Sequence, residues 1–153
     1  MKFRIKTLFV VPFLVCLLFV SCNQKGADSL ESQKIEVVTL AETTKSWDGA
    51  ELPKYLEGQP KVTILKITIP PKTDLAMHEH LVMNVGILIK GELTVTTEDN
   101  KILHMKAGDP IVETVNTWHY GKNEGDEPAE IIVFYAGVEG VPITVMKDKD
   151  GGH

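Results

Sequence analysis

An all-β fold, sandwich or barrel, is predicted for this chain of 153 residues by three observations. Short β-branched runs follow one another along most of its length, with Gly, Pro, Asn and Asp between them. No stretch sustains the apolar period of an amphipathic helix. The composition, 43% hydrophobic and 24% charged with 7% aromatic, is that of a globular protein whose core rests on Val, Ile and Leu. The length suits one domain and not comfortably two.

In chain order, residues 1–21 read as a lipoprotein signal peptide. Lys2, Arg4 and Lys6 form a positive n-region, and the apolar run from Leu8 to Val20 is interrupted at Pro12. That run falls short of the roughly 20 apolar residues of a membrane span and fits a signal-peptide h-region. Phe19-Val20-Ser21-Cys22 resembles the lipobox of bacterial lipoproteins, with Phe19 where Leu is usual. Cys22 is therefore the candidate lipidation residue, against two alternatives: an uncleaved anchor, or a plain secretory signal. Lipidation places the protein at the cell envelope, attached to the membrane by its lipid. It also leaves no thiol in the folded part, because Cys16 leaves with the signal and Cys22 carries the lipid.

Residues 22–34 are polar and aperiodic, a flexible tether. Ile35 to Leu40 (IEVVTL) suits a first strand, and 41–60, with Gly49, Pro53, Gly58 and Pro60, is loop-rich. Trp47 in that loop is read as a packing residue. Strands are then expected at 62–69, 83–89, 93–97, 101–105, 110–115, 129–137 and 142–146, within a domain spanning 35–146 and followed by a disordered tail at 147–153. With the three n-region charges removed, the net charge of −5 becomes −8. An acidic chain without a Lys/Arg cluster is a poor nucleic-acid binder, and no basic patch draws it to anionic lipid.

Among five histidines, His78 and His80 stand two apart in Met77-His78-Glu79-His80. On a strand they share a face and Glu79 takes the other, so two imidazoles can converge on one ion. His104, between Leu103 and Met105, is expected to face solvent, and His153 ends a Gly-rich tail. The flanking spacing resembles the cupin superfamily. Its first motif, G-x5-H-x-H-x3,4-E-x6-G, is matched in spacing by Lys72, His78, His80, Asn84 and Gly91. Its second, G-x5-P-x-G-x2-H-x3-N, is matched by Gly108, Thr114, Asn116, His119 and Asn123.

The resemblance implies a small single-domain cupin double-stranded β-helix, a jelly-roll-like barrel over roughly 35–146. It also implies a divalent metal ion (Fe, Mn, Zn or Ni) held by His78, His80 and His119. Asn84 stands where the motif has Glu, so a fourth ligand there is a neutral amide and the ion keeps its full charge. Lys72 and Asn116 replace turn glycines, and Asn tolerates positive φ better than most residues. Leu88, Val95, Val133 and Tyr135 are candidate walls of a pocket for a small-molecule ligand, and Asn123 is read as structural.

Two function classes stay open: a metal-dependent enzyme (dioxygenase, decarboxylase or isomerase) on a small oxygen-rich molecule, and a non-catalytic metal- or ligand-binding module at the envelope. A general acid/base beside the metal separates them, and the sequence identifies none. Many cupins form homodimers, and no residue here fixes such an interface.

Overall fold

The computed structural model describes residues 34–148. The chain divides into two compact units, Met1–Glu36 and Val37–His153, and the fold described below belongs to the second. The signal peptide, Cys22, nearly all of the tether and His153 lie outside the described residues.

Every regular element among the described residues is a β-strand. They are β1 (Pro60–Ile69), β2 (Thr73–Asp74), β3 (His78–Glu79), β4 (Met83–Lys90), β5 (Glu92–Thr97), β6 (Ile102–Lys106), β7 (Pro110–Val112), β8 (His119–Asn123), β9 (Ala129–Val138) and β10 (Val145–Met146). All pairing is antiparallel. One sheet has the order β1-β9-β4-β7; the other runs β10-β3-β8-β5-β6, with β2 also against β8. The all-β double-sheet architecture is thus the one expected from the strand pattern.

Alternation along the strands builds the core. In β9, Ala129, Ile131, Val133 and Tyr135 are buried, while Ile132 and Phe134 point outward and are partly exposed. Leu88, Leu93, Val95 and Ile111 join the buried set from neighbouring strands. The turn from β4 into β5 requires Gly91. Its φ is +75°, and a Cβ there would come 2.8 Å from the Pro128 carbonyl oxygen. Both substituted turn positions, Lys72 (φ 51°) and Asn116 (φ 56°), do take the left-handed conformation of the motif's glycines.

The expected strand at 35–40 is absent. Ile35, Val37, Val38 and Leu40 are all exposed, and the segment pairs with nothing. Strand propensity expresses fit to a half-buried pleated surface, and this unit offers the segment none. The expected 110–115 strand ends at Val112, and that at 142–146 shrinks to β10. β2 and β8 are strands that the sequence pattern does not predict; they carry Asp, Lys, Gly and Asn, residues depleted in strands.

Candidate metal centre

The segment 73–79 runs along β8 as an interrupted strand. Thr73 lies opposite Asn123, the Leu75 amide donates to the Gly121 carbonyl, and His78 lies opposite His119. A directly opposed pair brings its side chains together on one face, and the His78 and His119 ring centroids are 4.5 Å apart. His80 follows β3, with its ring 5.1 Å from His78 and 5.0 Å from His119. The three imidazoles offer ligand nitrogens within 4.8 Å of one another, so this group could hold a metal ion.

Their orientation is fixed by hydrogen bonds at Nδ1. His78 Nδ1 donates to the Ala76 carbonyl (2.8 Å) and His119 Nδ1 to the Thr117 carbonyl (2.8 Å), with Thr114 Oγ1 at 3.2 Å. His80 Nδ1 donates to the Ile143 carbonyl (3.1 Å), with Thr144 Oγ1 also at 3.1 Å. A proton engaged at Nδ1 leaves the Nε2 lone pair free, the tautomer a metal needs. Burial pushes the His80 imidazole down to about 3, and neighbouring His119 adds to the shift. Burial likewise lowers His78 and His119, opposed by their carbonyl contacts. Neutral, tethered and convergent, these residues fit a divalent cation by donor chemistry.

Asn84 is buried beside them on β4, its Nδ2 3.4 Å from the Val82 carbonyl. Together with His78, His80 and His119 it lines a cavity of about 70 Å³, the room of roughly two water molecules. Val95, Val133 and Tyr135 are walls of that cavity, as expected. Leu88 is not: it is fully buried in the core and does not line the cavity. Asn123 is structural, its Nδ2 donating to the carbonyls of Ile69, Pro70 and Glu127. His104 is exposed on β6 against Thr94, as expected. Glu79 is not among the converging donors. Trp118 is half-buried under the Lys147 ammonium, 5.6 Å from its ring.

One ionisable residue of the cavity escaped the sequence reading. Glu113 is buried, and its Oε1 accepts hydrogen bonds from the Trp47 indole (3.0 Å) and the Thr114 amide (3.2 Å). Oε1 lies 3.8 Å from His119 Nε2. Burial pushes this carboxyl up, against the Trp47 and Thr114 hydrogen bonds. The signal was present: a lone acid inside the apolar run PIVETV, one residue before Thr114 of the second motif. Trp47 packs against the core as expected, and its polar edge is what holds Glu113.

Among the described residues, no helix is long and apolar enough to cross a membrane. A larger groove of about 660 Å³ lies between residues 41–55 and the outer side of β4 and β7, away from the histidines.

The family described as Cupin_2, a cupin domain, matches residues 65–135. No curated protein matches the chain. Among solved structures, an uncharacterized conserved protein with a double-stranded β-helix domain from Klebsiella pneumoniae is similar at 18% identity and TM-score 0.51; the alignment covers 76% of this chain and 100% of that one. The DMSP lyase DddQ from Ruegeria pomeroyi is similar at 16% identity and TM-score 0.52, with 60% and 45% covered. A structure described with the DMSP lyases RdDddP and RnDddQII matches at 17% identity and TM-score 0.50, with 57% and 44% covered. The chain thus spans less than half the length of the lyase chains it matches, and at these identities the likeness is one of fold. The family match at residues 65–135, the strand order and these likenesses agree on the fold, the all-β double-stranded β-helix of cupins, with a three-histidine cluster at its cavity.

Proposed function

We propose that this cupin domain binds a divalent metal ion through His78, His80 and His119 and acts on a small oxygen-rich molecule as a metal-dependent enzyme. The observation that carries the reading is the set of three Nδ1–carbonyl tethers, which turn three neutral imidazoles toward one point. A bound ion supplies Lewis acidity at its open coordination positions. The chain's own part is to orient the ligand nitrogens, to line the cavity with Val95, Val133 and Tyr135, and to limit what enters by volume. The presence in the cavity of a buried carboxylate, Glu113, which the sequence reading does not single out, supports an enzyme. A non-catalytic metal- or ligand-binding module is the second reading, favoured by the neutral Asn84 at the motif's Glu position.

Metal analysis of purified full-length protein, beside the His78/His80/His119 triple Ala variant, tests the site. Stoichiometric metal in the wild type and a loss of more than about 100-fold in affinity in the variant is expected; equal metal content in the two overturns the assignment. The same analysis identifies Fe, Mn, Zn or Ni. Turnover across a panel of small oxy-acids separates enzyme from module. Attachment to the cell envelope through lipid on Cys22 belongs to the same proposal, and labelled palmitate incorporation that persists in Cys22→Ala would refute it.

We also propose a homodimer through the outer face of the four-stranded sheet. Ile64, Phe134, Val85 and Val112 form one outward cross-strand row, and Ile132, Ile87 and Pro110 another. Lys66, opposite Ile132 and ion-paired with Glu130, bounds this face on the β1 side, and its apolar rows suit a second copy of an otherwise acidic chain, whose charged surfaces repel one another.

A further inference from the structure

We propose that Glu113 is the carboxylate ligand of this metal centre, contributed from just past the end of β7, the strand beside the one on which the motif places it. The inference rests on the three-imidazole reading above and adds its fourth donor.

The placement argues for it. The Glu113 amide donates to the Asn84 carbonyl at 3.0 Å, and Asn84 lies opposite Tyr135 on β9. Tyr135 on β9, Asn84 on β4 and Glu113 just past the end of β7 therefore form one row, and all three line the cavity that His78, His80 and His119 face. The acid missing at Asn84 stands next door, on the same inner side.

The distances allow ligation. Two donors each about 2.0–2.2 Å from a common ion sit roughly 3–3.5 Å apart at ordinary coordination angles. The 3.8 Å between Glu113 Oε1 and His119 Nε2 closes to that range by a few tenths of an ångström, whereas Glu113 stands outside the 4.8 Å group of the three imidazoles, so ligation needs its carboxylate to turn toward His78 and His80. Trp47 and Thr114 hold Oε1 beside His119, while Oε2 accepts no hydrogen bond among the described residues and is free to make that turn.

Charge argues the same way. The ion pairs of the described residues give Glu113 no Lys or Arg; the basic groups that face it are the imidazoles of His119 and His78. A buried carboxylate without a counter-charge is costly, and a cation on the three imidazoles removes that cost. The ligand set then carries one negative charge, so a bound divalent ion keeps a net charge of about +1 rather than the +2 left by three histidines and an amide. Such a centre takes a neutral or singly charged oxygen ligand more readily than a dianion.

The test is Co²⁺ titration of the metal-stripped full-length protein, read by visible absorption and by competition with a chelator, for wild type, Glu113→Gln, Asn84→Ala and His119→Ala. Glu113→Gln keeps an acceptor for Trp47. It is expected to weaken Co²⁺ binding at least about tenfold and to change the absorption bands, whereas Asn84→Ala changes the affinity by less than about threefold. Wild-type affinity and spectrum in Glu113→Gln, with binding lost in His119→Ala, overturns this inference and leaves the three-imidazole reading standing. No Co²⁺ uptake by the wild type overturns both. Should Glu113→Gln fail to fold, Glu113→Asp, which moves the carboxylate back by one methylene, carries the same comparison. An unchanged Co²⁺ spectrum in Glu113→Asp counts against ligation.

Discussion

The four-stranded sheet and the interrupted strip of β2 and β3 face the same cavity, but they hold their residues there by different means. Asn84, Val133 and Tyr135 sit on long strands, β4 and β9, where continuous pairing with neighbours on both sides fixes each backbone position. His78 stands on a two-residue strand and His80 just beyond it, where the ladder supplies almost nothing. There the side chains are fixed instead by Nδ1 contacts to carbonyls. The division is one of labour: the regular sheet supplies stability and shape, and the irregular edge supplies ligand atoms whose aim depends on single hydrogen bonds. Substitutions in the first region should therefore act on folding, and those in the second on metal affinity.

The largest separation of the two is expected from Leu88→Ala. Leu88 is fully buried on β4, and its truncation should cost about 2–5 kcal/mol of unfolding free energy in denaturant titration. Metal affinity of the folded fraction should stay near wild type; a parallel collapse of both would erase the distinction.

Next comes pH. The three histidines have folded-state values held below the ordinary imidazole value, His80 at about 3. As pH falls below about 6.5 the unfolded chain takes up protons first. The stability contributed by neutral His80 is thus complete above that pH and is lost progressively on the way down to about 3. Glu113, whose value is raised, works in the opposite sense: its contribution is present at low pH and lost as pH rises through its folded value. With three groups against one, the Tm of chelator-treated protein should fall between pH 6.5 and 4, and a flat profile there would contradict buried neutral imidazoles.

A smaller effect is expected from Thr114→Val, which removes only the hydroxyl 3.2 Å from His119 Nδ1. Metal affinity should fall by about tenfold, as for other residues that orient a ligand, with a stability change of about 1 kcal/mol. The smallest change in stability, within about 0.5 kcal/mol, is expected from Phe134→Lys on the outer face. Sedimentation should nevertheless show the dimer replaced by monomer, and an unchanged sedimentation coefficient would locate any interface elsewhere.

Legibility in the sequence followed the same division. β1, β4, β5 and β9 announce themselves because each satisfies its own pattern: β-branched residues, alternation and turn residues at the ends. The segment 35–40 has that pattern and no partner, so propensity alone misleads. β2 and β8 are the reverse: their sequences are polar, and the pairing of Thr73 with Asn123 and of His78 with His119 makes them strands. The three histidines were legible because the spacing of both motifs encodes them. Glu113 was legible only as a lone acid in an apolar run; its entry into the cavity is a matter of register across β4 and β7, which no local pattern carries. Trp47 was half legible: its packing followed from its size, its hydrogen bond to Glu113 from 66 residues of chain folding back.

The contact between His80 and residues 143 and 144 reaches across 63 positions of the chain. β10 closes over the same place, pairing Met146 with His78 and Val145 with Glu79. Both histidines of the first motif are thus finished by β10 and the residues just before it. Closing so long a loop comes late in assembly, so the cluster is completed only when nearly the whole domain has been made and has docked. A chain cut short before Ile143 would retain every histidine of the cluster and both long sheet strands, yet lack the carbonyl that aims His80. An ion held by the cluster would therefore be held with full affinity only by molecules that carry β10 and the residues just before it.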